Sequence, residues 1–373
     1  MTTEKPLRYL LDPYKAWCAA EGIPVIEDFG VDMLACETGP WPRLGDNCKG
    51  AIVNLKGRGD YMSIFVMDLA PGASTAPQRH VYDEVFYVLS GHGSMTVDGA
   101  DGQRRTFEWG PRSMFAPPLN ARYRIFNASG VEPARLASGN AFPMVYNFFR
   151  DERFVFDNVH RFIDRDGPLG FYEGDGEFTA IRPGRHMWET NFVADLGAFE
   201  LRPWEARGAG SSNMQFILAD GSMGAHVSEM PVGTYKKAHR HAPGLHIFFV
   251  HGAGYTLLWY EGDKDFKRVE WCHGMAFAPP DEMIHQHFDT SRHPARYVAI
   301  AFGSKRYPIV EARRRGSETK RSDVSIKDGG CQIEYQDQDP RIHALWLAEL
   351  RKTGVESKMG KYFDEETLAK AAV

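Results

Sequence analysis

Short runs of apolar and β-branched residues, broken at close intervals by glycine, proline and aspartate, dominate the chain. Ser63–Leu69, Val85–Leu89 and Ser94–Val97 are of this kind, as are Ile247–Val250 and Tyr255–Tyr260. Runs of this length and composition between turn residues predict strands. Many of them at regular spacing predict a sandwich or barrel. Pro117-Pro118 and Pro279-Pro280 cannot lie in a central strand and mark strand ends or turns. Helical patterning is confined to the flanks. Pro13–Glu21 reads as a short helix, and 150–165 as a helix in a connection. Asp339–Lys352 reads as an amphipathic helix with Asp339 as N-cap and Pro340 in its first turn. The polar stretch 313–328 reads as a surface loop.

The pattern occurs twice. Leu69-Ala-Pro-Gly-Ala-Ser-Thr-Ala-Pro-Gln-Arg-His80 parallels Met230-Pro-Val-Gly-Thr-Tyr-Lys-Lys-Ala-His-Arg-His241. Glu108-Trp109 parallels Glu270-Trp271, and Phe115-Ala-Pro-Pro118 parallels Phe277-Ala-Pro-Pro280. Each of these last two pairs is offset by 162 residues, and Gly72 and Gly233 by 161. A nearly constant offset across three motifs implies two copies of one all-β domain. The expected boundaries are an arm over 1–44, a first domain over 45–150, a connection over 151–189, a second domain over 190–310 and a C-terminal loop and helix over 311–373.

Composition narrows the class. The 373 residues are 43% apolar and 25% charged, with a net charge of −5, an ordinary globular balance. No basic surplus points to nucleic acid or anionic lipid. No apolar run is long enough for a membrane helix, and Met1–Pro6 lacks the start of a secretory signal, so a cytoplasmic protein is expected. Cys18, Cys36, Cys48, Cys272 and Cys331 are odd in number and widely spaced, which favours isolated thiols over disulfides or a thiolate zinc site.

The chemistry is expected where histidines gather. His239 and His241 alternate by two and share a strand face; His246 follows after a short turn, and His285 follows the second proline pair. Four imidazoles from neighbouring strands can converge in a small barrel. Imidazole suits zinc, copper, iron and nickel. The competing reading is buried, hydrogen-bonded histidine. For His246 it is an imidazole beside the metal rather than on it. His287 shares a face with His285 and is the candidate acid–base group. Arg240, between two inward histidines, should point outward. Phe248, Trp259 and Phe277 are core or pocket lining. Lys236 and Lys237 are solvated or steer an anion to the barrel mouth.

These residues resemble the two motifs of the cupin superfamily. The first reads Gly233, His239, His241, then His246 in the position of the usual Glu, then Gly252 or Gly254. The second reads Pro279-Pro280, His285 and Asp289. The stretch Ala238–His246 is similar to that of gentisate-type ring-cleaving enzymes, which are also double cupins. The resemblance implies two tandem jelly-roll barrels with short flanking helices. It also implies a metal held by His239, His241, His246 and His285, with Fe(II) expected and Mn, Ni or Zn as alternatives, and no organic cofactor. A dioxygenase acting on a small hydroxylated aromatic or dicarbonyl compound with O2 follows, as does a homodimer or higher homo-oligomer. A Lewis-acid lyase, isomerase or hydrolase and a non-enzymatic binding cupin are the alternatives. In the first copy, Gln78, His80, Glu84 and Tyr123 fill the ligand positions, and a pocket that is empty or filled by side chains is expected there.

Overall fold

The computed structural model describes residues 11–308 and 322–364. Two barrels share one strand order. In the first, Cys48–Leu55, Ser63–Leu69, Ala134–Asn140, Glu84–Ser90 and Met114–Phe115 follow one another across the larger sheet. Arg122–Asn127, Gly93–Asp98 and Arg104–Trp109 form the smaller one. In the second, Ser212–Leu218, Met223–Met230, Ala295–Phe302, Leu245–His251 and Met275–Phe277 repeat the larger sheet. Lys267–Trp271, Gly254–Trp259 and Ile284–Asp289 repeat the smaller. Both proline pairs lie just beyond the short strands Met114–Phe115 and Met275–Phe277, where they remove no ladder hydrogen bond.

Alternation along each strand divides the apolar residues into two sets. Phe65, Phe86 and Val88 fill the first barrel, and Ile247, Phe249 and Phe277 the second. Their neighbours Ile64, Val85, Tyr87, Phe248 and Val250 face the other way and join one core between the two larger sheets. These strands are buried on both faces, which explains why they read as continuous apolar runs.

The connections depart from the expected boundaries. Val25–Asp28 pairs in parallel with Cys48–Leu55 of the first barrel, while Gly30–Asp32 pairs with Met275–Phe277 of the second. Phe192–Val193 pairs back onto Met114–Phe115. The hairpin Glu177–Arg182 and Arg185–Thr190, within the stretch read as a connection, extends the second barrel's larger sheet. Strand addition across the barrels is therefore part of the fold.

The N-terminal helix forms over Pro13–Ala20. The segment read as one helix over 150–165 is a short helix, Glu152–Phe156, and a 3-10 turn, Ile163–Arg165. Phe142–Phe149 is a helix that the apolar run concealed. The C-terminal helix is Pro340–Thr353, with the Asp339 side chain accepting from the Arg341 N–H and Gly354 in the left-handed region at its end. Of the stretch 313–328, residues 313–321 lie outside the described residues, and Ile326–Asp328 forms a 3-10 turn.

The duplication exposes one mismatch. Asn127 of the first barrel donates from its side-chain amide to the carbonyls of Leu69, Ala70 and Glu132. Asp289 occupies the matching place in the second barrel. It is fully buried, its Oδ2 has no partner, and burial pushes its carboxyl up to about 7. A carboxyl whose pKa is raised on folding costs stability as pH climbs from the unfolded value near 4 through the folded one. Asp289→Asn is therefore expected to stabilise the protein at pH 8 by on the order of 2 kcal/mol and to change little at pH 4. Urea titrations at the two pH values measure this. An equal change at both would remove the explanation.

Candidate metal centre

Three imidazoles converge in the second barrel. His239 lies on the two-residue strand Ala238–His239, directly opposite His285 on Ile284–Asp289. His241 follows two residues later. The ring centroids of His239 and His285 are 4.1 Å apart, and those of His241 and His285 are 4.7 Å apart. One nitrogen from each of the three residues falls within 4.8 Å of the other two, the one such group among the described residues. His239 and His285 are buried, and burial pushes both well below the ordinary imidazole value. Both are neutral, and coordination through His239 Nε2 requires the Arg207 guanidinium to leave Nδ1 so that the ring proton can move there.

Local contacts set the direction of two rings. His285 Nδ1 faces the Met283 carbonyl at 3.1 Å, and His241 Nδ1 faces the Ala242 carbonyl at 2.7 Å. A carbonyl on Nδ1 fixes the proton there and leaves the Nε2 lone pair to a metal. His285 Nε2 is buried without a partner, as an absent ligand requires. The donor set fits a divalent transition metal.

His246 is not part of this group, a correction to the sequence reading. Gly91 and Gly252 both have positive φ, at 85° and 84°, and a Cβ at either would press on the backbone of Ala134 or Ala295. These are the matching turn glycines. Counting seven back from each gives Glu84 in the first barrel and Leu245 in the second, so Leu245 occupies the carboxylate position. His246 matches Val85 and shares a face with Phe248 and Val250, toward the core between the barrels. Both its ring nitrogens are buried without partners, and burial, with Arg58 adding, pushes it down to about 3. His246→Leu is expected to leave metal content unchanged. It should raise stability by about 1–2 kcal/mol, since two unpaired polar atoms are replaced by apolar ones. Metal analysis and a denaturation curve on the one variant decide both points.

His287 is buried on the same face as His285, with its ring 5.5 Å from it. Its Nδ1 is 2.9 Å from Thr256 Oγ1, and the Trp271 indole donates to the same hydroxyl. Phe277 and Tyr297 flank it. Arg240 points outward to Glu261 and Glu282, as its position between inward residues requires. Of the three candidate aromatics, Phe277 faces the barrel interior. Phe248 packs between the barrels, and Trp259 lies under the C-terminal helix.

Several residues of this pocket gave no sequence signal. Gln332–Ile333, from beyond the barrel, adds an edge strand beside Ala238–His239. Arg207 is buried and donates to Gln332 Oε1 at 2.5 Å and to His239 Nδ1 at 2.6 Å. Lys236, read as solvated or at the barrel mouth, is buried instead, with its ammonium on Ser228 Oγ at 2.5 Å. Lys237 pairs with Glu334 at 2.6 Å.

The first barrel closes on itself. His80 Nε2, Glu84 Oε2 and the Tyr123 hydroxyl lie within 3.1 Å of one another, and Ser138 donates to Glu84 Oε1. Burial and Glu84 hold Tyr123 protonated. Gln78 turns its amide to the carbonyls of Arg43 and Ala76.

The cupin domain family matches residues 65–138, within this first barrel. The second barrel repeats its strand order element for element. The chain is a double cupin. No curated protein matches it. Among solved structures it is similar to oxalate decarboxylase from Bacillus subtilis at pH 4.6. That likeness has a TM-score of 0.47 and 13% identity, over 75% of this chain and 77% of that one. A structure concerned with the Mn(II) centres of the same enzyme also gives 0.47 and 13%, over 75% and 78%. Likeness of this degree leaves the chemistry of this double cupin to its own residues. Among the described residues no helix is long and apolar enough to cross a membrane.

Proposed function

We propose that the second barrel is the active site of a metal-dependent dioxygenase that takes a small hydroxylated aromatic or dicarbonyl compound. The observation that carries the reading is Leu245 in the carboxylate position, which leaves three neutral imidazoles and no charged ligand. Three protein ligands would leave positions on a bound ion for a bidentate substrate and one further small molecule. Four histidine ligands would have left too little. Fe(II) held there supplies Lewis acidity toward the substrate oxygens and electrons for O2, whereas Mn, Ni or Zn supplies the Lewis acidity alone.

The chain's own residues do the rest. His239, His241 and His285 would hold the ion, with two of the rings fixed by backbone carbonyls. His287, anchored on Thr256 and kept neutral by burial, would accept a proton from the substrate hydroxyl. Phe277, Trp271 and Tyr297 exclude water from the interior.

The test is metal content of untagged protein purified without chelators. It is combined with O2 uptake after Fe(II) reconstitution against gentisate, salicylates, catechols and β-diketones. About one iron per chain and uptake on any of these compounds support the reading. One Mn, Ni or Zn per chain without uptake moves it to Lewis-acid chemistry.

A further inference from the structure

Two of the three clustered histidines are set by strand pairing, and the third is not. His239 and His285 face each other on paired strands. His241 lies in the irregular stretch 240–244 and is the one member of the triad that is not buried. Part of what holds that stretch comes from the first barrel. The hairpin loop 56–62, between Cys48–Leu55 and Ser63–Leu69, reaches across to the second barrel. There the Gly57 carbonyl accepts from the Gly244 N–H at 3.3 Å. A Cβ at Gly57 would press on the carbonyls of Ala278 and Pro279. The loop is therefore wedged between the stretch that carries His241 and the proline turn that leads to His285. Gly244 is gripped from its other side as well, its carbonyl accepting from the Phe302 N–H at 3.0 Å. Tyr61 closes the clamp. Its ring stacks on that of Phe302, with centroids 5.5 Å apart and planes 8° from parallel, and lies beside Gly244.

The same exchange runs in the other direction. The matching hairpin loop of the second barrel, 219–222, reaches the first. The Ser222 N–H donates to the Asp83 carboxylate at 2.7 Å, and the Ser222 hydroxyl donates to the same oxygen. Asp83 corresponds to Gly244 at the offset that relates Glu84 to Leu245, and it falls between His80 and Glu84. Each barrel thus holds the ligand-position stretch of the other with its own hairpin loop. The loop that the first barrel contributes is the longer of the two.

We propose that the first barrel serves the metal centre of the second, its loop 56–62 placing His241, with Tyr61 as the positioning residue. This rests on the metal-site reading and goes beyond it by giving a task to a barrel whose own cluster is closed. A ligand on irregular backbone loses conformational freedom when it takes an ion. A clamp that orders the backbone beforehand removes that cost from the affinity.

The experiment is zinc titration of the full-length, chelator-treated protein against a competing chromophoric chelator, with the melting temperature of each metal-free form measured alongside. Tyr61→Ala is expected to weaken zinc binding about 10-fold. Tyr61→Phe keeps the stacked ring and is expected to bind as the wild type does. In a His241→Ala background, Tyr61→Ala is expected to cost no further affinity, because the residue it positions is gone. Tyr61 is 41% exposed, so the metal-free melting temperature should change little. Zinc affinity at the wild-type value in Tyr61→Ala overturns the proposal and leaves the metal reading standing. An equal loss with and without His241 also overturns it, as does a lower melting temperature with unchanged affinity, because the loop would then serve only the fold. Wild-type protein that binds no zinc removes the metal reading itself, and this proposal with it.

Discussion

His285→Ala is expected to strip the protein of its metal. His285 stands between the other two ligands, with its ring 4.1 Å from His239 and 4.7 Å from His241. Removing it leaves two imidazoles on neighbouring positions and nothing on the facing strand. Loss of an outer-shell partner alone costs about 10–100-fold in affinity, so loss of one of three ligands should cost more than about 100-fold. Metal content after dialysis should fall from about one ion per chain to a small fraction of that. Wild-type protein should gain thermal stability when metal is added, by roughly 4 kcal/mol at a thousand times the dissociation constant, and His285→Ala should gain almost none. His239→Ala should behave alike. His246→Leu is the contrasting variant, because its side chain lies on the opposite face of the sheet. If His285→Ala kept a full complement of metal, the triad would not be the site.

The largest expected loss of stability follows from Trp346→Ala. Trp346 lies on the C-terminal helix, is fully buried and donates from its indole to the Asp289 carbonyl at 2.9 Å. Its ring packs edge-on against Tyr235, 4.8 Å away. Tyr235 packs at a tilt against Phe288 and immediately precedes Lys236 in the chain. The helix covers the outer face of the strand that carries His285 and His287, while those histidines point inward. Removal of a buried Trp side chain costs about 3–5 kcal/mol, from lost transfer energy and an unfilled cavity. The donor to the Asp289 carbonyl goes with it. Urea denaturation followed by far-ultraviolet circular dichroism measures the change. A loss below about 1 kcal/mol would mean that the helix is an appendage and not a wall of the barrel.

The sequence alone determined the duplication and the strands, and it named all three histidines that converge in the second barrel. Those features are written in local spacing. Turn glycines and paired prolines recur at one offset, apolar runs of strand length lie between them, and the two-residue step from His239 to His241 places both on one face whatever the rest of the chain does. The flanking helix Pro340–Thr353 was equally legible, because its cap is a neighbour in sequence.

Tertiary structure decided the rest. The direction of His246 turns on a single residue of register, and only the positive-φ turn at Gly252 fixes the count that gives the inward position to Leu245. Arg207 reaches His239 from 32 residues away along an irregular segment, and Gln332 arrives from beyond the barrel. No periodicity announces contacts of that kind. Lys236 shows the same limit from the other side. A lysine beside a lysine reads as solvated surface, and it is buried here because its backbone bridges to Gly208 and His287 while its side chain turns onto Ser228 and Tyr297. Local pattern sets which way a side chain points along its own strand; what it meets there depends on chain closure over distances that no local pattern spans.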